Sequence, residues 1–210
     1  MRRLLLLLAA ATLAAACTGA PDLSAAEERA LAVAASDDPL PTGWRLDDAV
    51  RAESGDAVPQ IEGCDQLAAL DVSEAEGFVT ASYDAPDAEL PLLDLDLDVI
   101  VMPATAAAAA YVGAVADPAT PDCLIAINDG FAGVAVVDVL APAVAGGESA
   151  RLRFDFPPDD EDAAATFELV AMASSDLLAV VEIAYATEVP PPGLDALLAS
   201  FADRLAAAPS

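Results

Sequence analysis

Of the side chains that do covalent or acid–base chemistry, this chain of 210 residues carries carboxylates in abundance and little else. It has 36 Asp and Glu, no His and no Lys, and its eight basic residues are all Arg. A Ser–His–Asp or Cys–His relay therefore lacks its base. Schiff-base chemistry, a Walker lysine and the protein-kinase catalytic set all lack their lysine. Glycoside hydrolysis needs only two carboxylates, but spacing alone selects no pair among so many. The expectation is a chain that is not an enzyme. Asp94-x-Asp96-x-Asp98 opens like a calcium-binding loop. Val99 then stands where that loop turns on Gly, and Thr105 where a bidentate Glu is required. On a strand, the three Asp side chains would form a solvated row. Asp159–Asp162 is a charge run in a turn, solvated by default. No metal and no cofactor is expected.

The remaining candidates are three cysteines, Cys17, Cys64 and Cys123. Cys17 ends an N-terminal stretch built as an export signal. Arg2 and Arg3 form a positive start, and Leu4–Ala16 is apolar apart from Thr12. That run is too short for a bilayer span, which takes about 20 residues, so residues 1–16 read as a signal peptide. Leu13-Ala14-Ala15-Ala16-Cys17 resembles the lipobox of bacterial lipoproteins, with Leu13 one place earlier than usual. The resemblance implies a diacylglyceryl thioether and palmitate on Cys17, a membrane anchor, and a lipid-anchored protein on the extracytoplasmic face. Cys64 and Cys123 are then the pair left to form a disulfide outside the membrane, where thiols oxidise.

Residues 17–24 read as the lipidated cysteine and a tether, and residues 25–208 as one domain. Ser24-Ala25-Ala26-Glu27 fits a capping box opening a helix to about Ala35. Leu40–Trp44 is a turn in which Pro at the second place and Gly at the fourth suit type I, and Trp44 reads as a core anchor beside it. Leu93–Met102 alternates apolar residues with Asp and then becomes apolar on both faces, a strand entering the interior. Pro103 ends it, and Ala104–Ala116 is helical by propensity. Ala150–Phe156 alternates Leu152, Phe154 and Phe156 with Arg151, Arg153 and Asp155, a half-buried strand. Thr166–Ala173 and Leu177–Ala186 form a hairpin across Ser174-Ser175-Asp176. Leu194, Leu197, Leu198, Phe201 and Leu205 form one stripe of a closing helix. Strands between flanking helices predict an α+β fold: a single domain with a twisted, mainly antiparallel sheet and flanking helices.

The formal charge of -28 argues against nucleic acid and against anionic lipid headgroups as partners, since both need a basic patch.

Three features together resemble the extracellular sensor domain of mycobacterial-type serine/threonine protein kinase H and actinobacterial lipoproteins with similar domains. Asp38-Pro39-Leu40-Pro41-Thr42-Gly43-Trp44 follows an N-terminal helix. Cys64 precedes two strands. Val99–Pro103 leads into the alanine-rich helix and then Ala116–Cys123. The resemblance implies an antiparallel sheet backed by helices, with a cleft for an extracellular ligand. This chain has one cysteine pair where that family has two, and no kinase domain. Two functions are consistent with it. One is a surface-tethered, non-catalytic sensor-like module binding an apolar or envelope-derived ligand, in a cleft between the sheet and Ala106–Ala110. The other is a structural or adaptor lipoprotein contacting envelope proteins without a small-molecule ligand. The ligand-binding residues are not identified by the sequence.

The anchor is tested by Cys17→Ala. The variant should leave the membrane fraction and accumulate as unprocessed or differently cleaved precursor. Equal membrane retention of variant and wild type would contradict lipidation.

Overall fold

The computed structural model describes residues 23–36, 38–51, 75–85, 92–127, 136–140, 148–156, 164–186 and 189–209. Its frame is a seven-stranded sheet: β1 (Arg45–Arg51), β2 (Gly77–Asp84), β3 (Leu92–Val101), β4 (Val136–Leu140), β5 (Glu148–Phe156), β6 (Ala165–Ser174) and β7 (Leu177–Tyr185). The spatial order is β1-β2-β3-β7-β6-β5-β4, and every neighbouring pair is antiparallel. Two meanders thus meet where β3 pairs with β7, in a register that sets Asp96 opposite Glu182. The helices are α1 (Ala25–Ala34), α2 (Thr105–Val115), α3 (Thr120–Ile127) and α4 (Leu194–Ala207). This is the expected α+β class, with the described pairings antiparallel throughout.

Local chemistry accounts for the ends of the elements. Ser24 Oγ accepts from Glu27 N–H at 3.1 Å and the Glu27 carboxylate accepts from Ser24 N–H at 2.7 Å, the expected capping box. The turn after α1 closes from Trp44 N–H to Pro41 O at 3.0 Å. Gly43 is therefore its third residue, at φ +90°, which is the type II requirement and not type I. Trp44 is buried and its Nε1–H donates to Pro192 O at 3.0 Å, fixing the chain just before α4. Gly77 lies so close to α1 that an added Cβ would come within 2.7 Å of the Ala26 and Glu27 backbone.

Period-2 alternation sorts the strands' side chains onto two faces. The first face carries Val79, Ala81, Leu95, Leu97, Val99, Val170, Val181 and Ile183, covered by α1 and by the Leu194, Leu197, Leu198, Phe201 and Leu205 stripe of α4. The second carries Phe78, Ile100, Leu152, Phe154, Ala171, Leu178 and Val180, covered by Ala108, Tyr111, Val112 and Val115 of α2 and Leu124 of α3.

The polar side of β5 is not the solvated face that alternation suggests. Arg151 is only 7% exposed and Glu168, on β6 beside it, is fully buried. Arg151 Nε–H donates to Glu168 Oε2 at 2.7 Å, and Arg151 Nη1–H to Asp195 Oδ1 at 2.8 Å, tying the sheet to the first turn of α4. Tyr185 Oη–H donates to Glu168 Oε1 at 2.7 Å. Burial alone would lower the Arg151 pKa, but Asp195 and Glu168 reverse that and raise it. Burial and the bond to Glu168 raise Tyr185.

The disulfide expectation is corrected to a narrower statement. Among the described residues there is no disulfide pair, because Cys123 on α3 is the one cysteine they contain. Cys17 and Cys64 lie outside the described residues.

Removing one partner of a buried ion pair leaves an uncompensated charge. Arg151→Met should therefore cost about 3–5 kcal/mol in denaturant unfolding, and adding Glu168→Leu should recover much of that loss. Equal destabilisation in the single and double variants would show that Glu168 is not held by charge.

Candidate functional site

Two places on this frame have unsatisfied chemistry. One is a face of carboxylates on the second side of the sheet. β3 directs Asp94, Asp96 and Asp98 to the side that carries Ile100, and the β3–β7 register adds Glu182. β2 adds Thr80 opposite Asp98 and Ser82 opposite Asp96. Thr80 Oγ1–H donates to Asp98 Oδ1, and Ser82 Oγ–H to Asp96 Oδ1, each at 2.7 Å. The expected solvated row is therefore only partly one: Asp94 is exposed, but Asp96 and Asp98 are half-buried.

Burial is the main cause that pushes Asp98 up to about 6; Thr80 opposes it and Asp96 adds to it. Burial, then Asp98, Asp96 and Asp94, likewise raise Glu182. From α2, the Tyr111 ring enters the same neighbourhood, and burial followed by Glu182 and Asp98 raise its hydroxyl. The three Asp do not chelate as a calcium loop would. Alternate residues of a strand stand about 7 Å apart, and among the described residues no group of three or more potential ligands could hold a metal ion.

The second place is a cleft of about 640 Å³ at one corner of the sheet. Among the described residues, β4 pairs with β5 as far as Leu140 opposite Arg151, and β5 begins three residues earlier at Glu148. There the start of β5 and the end of β6 lie between the first turns of α2 and the last turns of α4. Ala106 and Ala109 form one wall, Ala202 and Leu205 another, and Met172 lies between them. Ser149 Oγ, in the lining, is buried with no hydrogen-bond partner. Glu148 and Asp203 add negative charge.

This is not the cleft expected beneath the alanine-rich helix. Ala108 is 0% exposed, so α2 is packed down onto the sheet. A helix with methyl side chains approaches closely and leaves no gap there; the opening lies beside its N-terminal end. The orphaned Ser149 was invisible in the sequence, since only the tertiary placement of Met172 and α4 closes it off.

No helix among the described residues is long and apolar enough to cross a membrane. Cys17 and Cys64 lie outside the described residues, and Cys123 on α3 is not among the residues lining the cleft.

The raised Asp98 carries a pH signature. Its folded pKa of about 6 exceeds the ordinary 3.8. The folded state therefore holds this proton more tightly, and the penalty of ionising it is present above about pH 6 and vanishes as pH falls toward 3.8. Asp98→Asn should raise stability at pH 7.5 by on the order of 2 kcal/mol and flatten the rise on acidification from pH 7 to 5. Melting curves at several pH values check this. An unchanged pH dependence in the variant would contradict it.

No family model matches the sequence, and no curated protein sequence matches it. Two chains of solved structure match. One is the extracellular domain of PknH from Mycobacterium tuberculosis, with 11% sequence identity and a TM-score of 0.45 over 87% of this chain and 91% of that chain.

Proposed function

We propose that this chain is a non-catalytic binding module, held outside the cytoplasmic membrane by lipid on Cys17, that takes an apolar or envelope-derived ligand in the corner cleft. The observation that carries the reading is the cleft itself, which joins a wall of small apolar side chains to the buried, unpartnered Ser149 hydroxyl. A buried hydroxyl without a partner costs about 1–3 kcal/mol, and a ligand acceptor or donor reaching it would remove that cost. Apolar walls with a few placed polar groups are the usual make-up of small-molecule sites. Glu148 and Asp203 disfavour an anionic ligand there.

The adaptor reading has an observation of its own. β1 is the terminal strand of the sheet, and its Leu46 and Val50 are 38% and 49% exposed. An edge strand with exposed apolar side chains suits pairing with a partner's strand.

The cleft reading is tested with a neutral fluorescent probe, N-phenylnaphthylamine. The wild type should show a saturable rise in fluorescence. Ala109→Trp and Ala206→Trp fill the cleft from opposite walls at positions that are not buried, so each should abolish the rise with the melting temperature unchanged. No saturable rise in the wild type, or a rise that survives both substitutions, would overturn the cleft and leave the adaptor reading.

A further inference from the structure

Among the described residues, no cation pairs with the carboxylate face on β3 and β7. Asp96 and Glu182 are direct cross-strand partners, and like charges so placed repel. Asp98 lies two residues further along β3 on the same side, and Asp94 two residues before. The causes that shift Asp94, Asp98 and Glu182 include neighbouring carboxylates and no arginine. Among the described residues, Asp96 and Asp98 are steadied by the hydroxyls of Ser82 and Thr80.

Tyr111 is the independent sign that this face awaits something. The residue is only 3% exposed. Its hydroxyl has no hydrogen-bond partner among the described residues, and its electrostatic neighbours are Glu182 and Asp98. The Glu182 carboxylate also lacks a hydrogen-bond donor among the described residues. A phenol and a carboxylate, both partly withdrawn from water and both unpaired, would be satisfied by one group rich in N–H donors.

We propose that this face binds a linear organic polycation of the polyamine class, lying along β3 with its ammonium groups over Asp94, Asp96 and Asp98. Glu182 closes the far side, and Tyr111 Oη accepts from one ammonium. The repeat along the strand, about 7 Å between alternate residues, favours a chain of separated charges over a single ion. Each ammonium places its donors on carboxylate oxygens, the strong charge-assisted kind of hydrogen bond. The same spacing excludes compact chelation of one metal ion. The site lies on the β3–β7 side and shares no residue with the corner cleft, so it stands independently of the ligand proposed there.

Isothermal titration of the purified protein with spermidine, at pH 7.5 and fixed ionic strength, tests it. The wild type should bind at one saturable site. Asp98→Asn/Glu182→Gln should weaken that binding about ten-fold or more. Glu28→Gln/Asp122→Asn removes the same charge from exposed positions on α1 and α3 and should leave it unchanged. Tyr111→Phe should weaken binding about three- to ten-fold without lowering the melting temperature, since the lost hydroxyl has no partner in the fold. Equal loss in the two double variants would mean diffuse attraction to an acidic protein and overturn the site. So would binding of magnesium ion at the same place with equal affinity, or a Tyr111→Phe variant that binds as tightly as wild type.

Discussion

A shortage of cations governs this structure. With eight Arg against 36 acids, most Arg with a described side chain tie one part of the structure to another. Arg29 of α1 holds Asp176 in the β6–β7 hairpin with both ends of its guanidinium, at 2.9 and 2.7 Å, and its Nε–H reaches Pro209 O beyond α4. Its bond to Asp176 lowers that carboxyl's pKa and raises its own. Asp176 follows Ser175, which sits in the left-handed region at φ 57°, so the arginine steadies a turn with no glycine to ease it. Arg204 bridges α4 to the end of α1 through Val33 O and Asp38 O. Arg151 links β5, β6 and α4, and Arg153 pairs with Asp155 along β5. Arg45 and Asp84 pair at the exposed edge, where such a contact contributes little.

With the described arginine side chains committed elsewhere, the sheet's two faces differ. The first face is fastened by ion pairs and by apolar packing against two helices. The second is apolar toward α2 and becomes a row of carboxylates steadied by hydroxyls toward the other end of β3. That gradient has its origin in one strand. Leu95, Leu97 and Val99 supply an unbroken apolar side, while the opposite side changes from Asp98 to Ile100 within two residues. The strand must enter the core at one end and meet water or a ligand at the other.

Much of this was legible in the chain because it depends on neighbours in sequence. The Ser24–Glu27 box, the β3 alternation, the β6–β7 hairpin and the α4 stripe all form from residues a few positions apart. Trp44 as an anchor was legible from its rarity beside a turn. What stayed hidden depends on partners far along the chain. Alternation puts Arg151 and Glu168 each on one side of a strand, but only the β5–β6 register and α4 bury them together. The Asp94–Asp98 row looked solvated because nothing local shows that β7 brings Glu182 and α2 brings Tyr111 against it. The alanine run looked capable of leaving a gap; tertiary packing closed it at Ala108 and left the cleft beside the helix's N-terminal end instead.

The central claim is that, among the described residues, the β3–β7 carboxylates face one another without a cation. Site-resolved carbon NMR titration of the Asp and Glu carboxyls reads this directly. The account predicts an Asp98 midpoint of about 6, together with a raised Glu182, and a fall in both when spermidine is added. An Asp98 midpoint at the ordinary 3.8, unmoved by the polyamine, would show that the face is either solvated or already neutralised and would contradict the account.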